Sequence, residues 1–160
     1  MKYPIGIQTF EQIIEGGYLY FDKTALVYDL VRNGKTYFLS RPRRFGKSLL
    51  VSTLECYFQG RRELFRGLAI DSLETEWNAY PVFRIDFSSN SFDTPGTLEA
   101  VLENFVATAE KQYGKGEFAT TLSDRFCAVL ANAHKQTGRR AVVLIDEYDK
   151  PLLDVIQRLS

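Results

Sequence analysis

Two short groups of residues in this 160-residue chain have the types and spacing that chemistry on a phosphate needs. One is Gly46-Lys47-Ser48, preceded by Arg41-Pro42-Arg43-Arg44-Phe45. The other is Asp146-Glu147, which closes the apolar run Ala141-Val142-Val143-Leu144-Ile145. A bound triphosphate needs several inward-pointing N–H donors, a helix N-terminus behind them, and a cation. Gly46 lets the backbone pass close to a phosphate, and the amides of Phe45, Gly46, Lys47, Ser48 and Leu49 are the candidate donors. The Lys47 ammonium would reach the β- and γ-phosphates, and the Ser48 hydroxyl would ligate Mg²⁺. Arg43 and Arg44 add positive charge beside that site. The motif G-x-x-x-x-G-K-[ST] asks for Gly at position 41, where this chain has Arg41. Two readings follow. Gly-Lys-Ser is a chance tripeptide at a helix start, or Pro42 stiffens a turn of different geometry that does the same work. The three arginines could equally form a solvated basic turn or a nucleic-acid contact.

The second group has its own alternatives. An aliphatic, β-branched run without alternation predicts a strand buried on both faces, as in a parallel sheet. Ligands in such sheets sit at the carboxyl ends of strands, where Asp146 and Glu147 fall. In that Walker B pattern Asp146 holds the Mg²⁺ shell, and Glu147 orients and deprotonates the attacking water. The competing reading is two exposed acids capping a following helix that Pro151 helps start. A strand–turn–Gly-Lys-Ser–helix unit followed by a strand–Asp-Glu unit is much rarer than either part, and the conjunction favours nucleotide binding.

The elements that must position these residues are legible as patterns. Thr36–Ser40 predicts the strand before the phosphate loop. Leu49, Leu50, Thr53, Leu54, Tyr57 and Phe58 predict the buried face of the helix after it, with Gly60 as its stop. Upstream, Thr9–Glu15 predicts a short helix ended by Gly16-Gly17. Asp22 is placed as the N-cap of a helix to about Arg32, with Leu26, Val27, Leu30 and Val31 on one face. Arg61–Arg66 predicts a helical turn, and Val82–Phe87 a strand with Asp86 near its end. Leu98, Val101, Leu102, Phe105, Val106 and Ala109 form one helical stripe. Phe118, Leu122, Phe126, Val129, Leu130 and Ala133 form another, and both belong to the core.

With both motifs in place, the chain resembles the predicted AAA-ATPase-like family, P-loop ATPases often followed by a PD-(D/E)xK nuclease-like domain. The matching residues are Tyr-Pro-Ile-Gly-Ile-Gln-Thr-Phe at 3–10, Tyr-Leu-Tyr-Phe-Asp-Lys-Thr at 18–24, Arg-Pro-Arg-Arg-Phe-Gly-Lys-Ser-Leu at 41–49 and Leu-Ile-Asp-Glu-Tyr-Asp-Lys-Pro at 144–151. In that family an Arg-Pro-Arg-Arg start replaces the first Gly, so Arg41 becomes a family trait. The resemblance implies an α/β P-loop NTPase of the AAA-like class with an additional strand and a catalytic glutamate. Its architecture would be three layers, α/β/α, around a mainly parallel sheet. Residues 1–35 would be an N-terminal segment, and residues 36–160 the P-loop core through Walker B. The implied cofactors are ATP and Mg²⁺. The segment before the P-loop often touches adenine in related ATPases, which makes Tyr20, Phe21 and Lys23 candidates; ordinary packing and a helix start explain them equally well. AAA-like sheets also contain strands for which no sequence remains after Ser160. The chain is therefore expected to be the N-terminal part of a longer protein, incomplete at its C-terminal end.

Composition narrows the function classes. The chain is 45% hydrophobic and 14% aromatic, the balance of a folded domain. Twenty basic and twenty acidic residues cancel, so any nucleic-acid contact must be local. No signal peptide or spanning apolar run is present, and two cysteines, Cys56 and Cys127, suit a reducing cytoplasm. The expected activity is ATP hydrolysis that drives or gates an attached effector, with self-association as in AAA-type relatives. The alternative is a nucleotide-dependent switch with little turnover, regulating a nuclease domain outside this chain. None of the eight lysines has an acid two positions before it, which excludes the nuclease motif here. A small-molecule kinase is weaker, because Glu147 suits water activation.

Overall fold

Thr9 is extended, and the six residues Phe10–Glu15 that follow it form helix α1, with Phe10 and Ile13 turned into the core. The computed structural model describes Tyr3 and residues 9–32, 47–86 and 96–146, giving the backbone alone at Lys47, Ser48, Asp86 and Asp146. The expected strand Thr36–Ser40, the turn Arg41–Gly46 with Phe45, Glu147 and the helix near Pro151 lie outside the described residues. The chain divides into two compact units, residues 1–79 and 80–160.

In the first unit, α2 spans Thr24–Arg32 and α3 spans Lys47–Phe58. A 3₁₀ turn at Arg62–Leu64 and a short helix α4 at Ala69–Leu73 follow. Asp22 does the capping expected of it. Its Oδ1 accepts from the Thr24 N–H at 2.9 Å and from the Thr24 hydroxyl at 2.6 Å. The same two residues also start α4: Ala69 N–H donates to Asp22 Oδ2 at 2.7 Å, and Ile70 N–H donates to Thr24 Oγ1 at 3.1 Å. One Asp-Lys-Thr segment thus satisfies orphan donors at two helix starts. The predicted stripe on α2 holds at Val27, but Leu26 is 66% exposed, because the buried side is centred on Thr24 and Val27.

α3 is more deeply enclosed than a single stripe. Val51, Ser52, Thr53, Leu54, Cys56 and Tyr57 are buried, while Leu49, Leu50 and Phe58 are half-buried. It ends in a Schellman motif: Gly60 N–H bonds to the Tyr57 carbonyl, Arg61 N–H bonds to the Cys56 carbonyl, and Gly60 has φ of +72°. The core beneath is aromatic. Phe10 stacks on Phe65 at 4.7 Å and meets Tyr20 edge-on at 5.4 Å; Trp77 lies 5.2 Å from Phe65 and 5.7 Å from Tyr57. Arg61 pins α1 from outside, 2.9 Å from Glu11.

In the second unit, β1 (Val82–Asp86) pairs in parallel with β2 (Val142–Asp146), in register from Val82 with Val142 to Asp86 with Asp146. Between them come α5 (Thr97–Tyr113) and α6 (Leu122–Thr137). These helices run in the same direction. Phe126 packs on Phe105, Arg125 bonds Glu103, and Gln136 near the end of α6 bonds the Tyr113 carbonyl at the end of α5. Residues 114–121 must therefore return along the pair. Eight extended residues span about 26 Å, the length of a 17-residue helix. Gly116 in this return would place a Cβ 2.4 Å from the Ala128 Cβ, so only glycine passes there.

Phe118 sits on the returning segment, 89% exposed, and does not join the α6 stripe expected to include it. The other stripe residues pack as predicted. Phe83 lies among Ala109, Val129 and Ala133, and Ile85 among Leu98, Leu102 and Ile145. Both helices centre on β1 and also touch Ala141, just before β2, and Ile145 within it. Val143 between them is 37% exposed, so β2 is not buried on both faces as its composition predicts. Arg125 bridges the helices, 2.6 Å from the buried Glu110 and 2.7 Å from Glu103. That guanidinium holds the Glu110 carboxyl below the usual carboxylate range, against an opposing push from burial.

Candidate functional site

Lys47 and Ser48 are the first two residues of α3, as the Gly-Lys-Ser spacing predicts. The opening amides of a helix have no intrahelical acceptor, so the N–H groups of Lys47, Ser48 and Leu49 stand at the positive end of the macrodipole. Leu49 is half-buried, and its carbonyl takes two side-chain hydrogen bonds. It accepts from the Ser52 hydroxyl at 2.9 Å and from the Thr53 hydroxyl at 2.7 Å. The Ser52 oxygen also accepts from the buried Phe10 N–H at 2.9 Å. The first amide of α1, which Thr9 leaves uncapped, is thereby satisfied one turn below Ser48.

The segment between α1 and α2 returns to the aromatic core, where Tyr20 packs edge-on against Phe10. Burial, and then the nearby Asp22 charge, push its phenol up to about 12. Of the three adenine candidates, Tyr20 is engaged in this packing, Lys23 is exposed with its carbonyl bonded to the Leu26 and Val27 amides, and Phe21 is 75% exposed. Burial opposes ionisation of Asp22, but the Thr24 side chain and the Thr24 and Ala69 amides hold its carboxyl below its ordinary value.

In the second unit, Asp146 is the last residue of β2, at the carboxyl end where the strand pattern placed it. The parallel register sets Asp86 directly beside it at the end of β1. Neighbouring strands lie about 4.8 Å apart, so two acidic positions share one strand edge. The sequence placed Asp86 near the end of its strand, and its pairing with Asp146 comes from the register. Ser52 went unrecognised, since a serine on a helix carries no signal of the long-range bond it makes. Arg43, Arg44, Phe45, Gly46 and Glu147 lie outside the described residues. Among the described residues, no group of three or more His, Cys, Asp or Glu side chains could hold a metal, and no helix is long and apolar enough to cross a membrane.

Comparison with known proteins adds a family and one relative. A profile described as "Predicted AAA-ATPase", of the AAA-ATPase-like group, matches residues 4–160. The chain is 43% identical over 159 residues to a protein described as "Uncharacterized protein in vnfD 5'region" from Azotobacter chroococcum mcd 1. That match covers 98% of this chain and 31% of the relative, so the chain spans about a third of the relative's length. No solved structure matches the chain.

Proposed function

The chain belongs to the predicted AAA-ATPase family, and on that premise we propose that it binds Mg-ATP and hydrolyses the β–γ bond to drive or gate an attached effector. The observation that supports the reading most is the start of α3 at Lys47, since the free amides of a helix opening suit a phosphate. The fold this implies is a P-loop NTPase of the AAA-like class, with the parallel β1–β2 pair as part of a larger three-layer α/β/α sheet. Lys47 would bind the β- and γ-phosphates, with the amides of Phe45 to Leu49 and the charges of Arg43 and Arg44 around them. Ser48 and Asp146 would hold Mg²⁺, and Asp86 would share the cation's surroundings. When bound, the ion neutralises charge on the phosphate oxygens. Glu147 would take the proton of the attacking water. The protein would work in the cytoplasm and self-associate, and its effector would be a nuclease-like domain outside these 160 residues.

Phosphate release and ATP affinity for the wild type, Lys47→Ala and Glu147→Gln test the assignment. Lys47→Ala is expected to lose ATP binding. Glu147→Gln is expected to keep binding while turnover falls by roughly 10²–10⁴-fold, the usual contribution of a general base. Full turnover in Glu147→Gln would remove it as the base, and unchanged affinity in Lys47→Ala would remove the P-loop. Tight Mg-ATP binding with no phosphate release would assign a switch instead of an ATPase.

A further inference from the structure

The first turn of α3 does not stand alone. Two hydroxyls, from Ser52 and Thr53, converge on the Leu49 carbonyl just inside the helix start. Side-chain hydroxyls bonded back to the carbonyl one turn earlier compete with the axial hydrogen bond and bend a helix. The tilt of the opening turn therefore depends on where those hydroxyls are held, and Ser52 is held from the N-terminal segment. The Phe10 N–H donates to Ser52 Oγ, and Tyr20 packs edge-on against the Phe10 ring. That segment is itself fixed. Phe10 is fully buried against Phe65, and Asp22 and Thr24 grip the start of α4.

We propose that Ser52 and Thr53 are positioning residues for nucleotide binding: without touching the nucleotide, they set the tilt of the phosphate-facing amides of Lys47, Ser48 and Leu49, and Ser52 conveys to them the placement of Phe10. The inference rests on the ATP-binding reading above. It differs from a purely stabilising role, because a stabilising hydroxyl changes the melting temperature and leaves affinity alone. A misplaced turn loses affinity in a protein that is still folded, and shifts near 1 Å cost up to about 10²-fold.

The test uses the 160-residue chain and measures Mg-ATP affinity by calorimetry, the melting temperature, and hydrogen exchange of the Phe10 amide. The variants are Ser52→Ala, Ser52→Thr, Thr53→Val, Lys47→Ala and Leu64→Ala, the last a core truncation without a bond to α3. Ser52→Ala and Thr53→Val are expected to weaken Mg-ATP binding about tenfold while staying folded. Ser52→Thr should restore wild-type affinity, and the Phe10 amide should exchange faster in Ser52→Ala. Leu64→Ala should lower the melting temperature with affinity unchanged. Thr53→Val, nearly isosteric, carries the test if Ser52→Ala does not fold. Wild-type affinity in Ser52→Ala and Thr53→Val, with binding lost in Lys47→Ala, overturns the positioning role and leaves the ATP site standing. An equal affinity loss in Leu64→Ala overturns it as well. A wild type that does not bind Mg-ATP overturns both.

Discussion

Tyr20 and Asp22 are close neighbours with opposite pH behaviour. The Tyr20 phenol is raised to about 12, so between about 10 and 12 the unfolded chain ionises this tyrosine while the folded chain does not. Its contribution is complete below about 10 and falls away as pH rises through about 12. Ultraviolet titration should show a tyrosine ionising near 12, and Tyr20→Phe should remove that step. Asp22 is lowered, so its contribution is present above about 4 and fades as pH falls through its lower folded value. Because it serves two helix starts, Asp22→Ala should cost roughly 1–2 kcal/mol in denaturant melts at neutral pH, and less at pH values where the wild-type carboxyl is protonated. The sequence announced Asp22 as a cap for α2, since an acid before an apolar run has that meaning. Its second use, on Ala69, could not be read, because the bond spans 47 positions and α4 is too short to show a period.

At the scale of elements, legibility followed periodicity. The α5 stripe, the α3 start at Lys47 and the β1 and β2 strands were readable because each repeats a spacing or closes on a marked residue. The direction of α6 was not readable, since a stripe carries no sign of which way its helix runs. Phe118 was misplaced for that reason: its spacing suited the α6 face, but residues 114–121 are occupied by the return. Two glycines test this arrangement. Gly60→Ala forces a left-handed residue with its Cβ 3.2 Å from the Asn78–Ala79 backbone, and should cost about 1–3 kcal/mol in equilibrium unfolding. Gly116→Ala should destabilise through its clash with the Ala128 Cβ. Adding Ala128→Gly should recover part of that loss, and the double mutant would then be more stable than the sum of the two singles. Simple additivity in that cycle would mean the return does not cross α6 at Ala128.

For the molecule as a whole, apolar and aromatic content indicated a folded domain, while its division at residue 79 left no mark in composition. Trp77, the single tryptophan, sits in the aromatic core of the first unit, so its fluorescence reports on that unit by itself. If the chain binds Mg-ATP, nucleotide at a hundredfold excess over Kd should stabilise the folded state by about 2.7 kcal/mol, seen as a rise in melting temperature that Lys47→Ala abolishes. The parallel pairing of Val82 with Val142, about sixty positions apart, also bears on how the protein is made. At roughly 5–20 residues per second, a ribosome leaves β1 waiting about 3–12 s for the strand it will pair with. During that interval the Val82–Asp86 edge is open to other strands. The second unit is therefore where chaperone dependence and codon-rate effects on yield should concentrate, while the first can close its aromatic core as soon as Trp77 clears the exit tunnel.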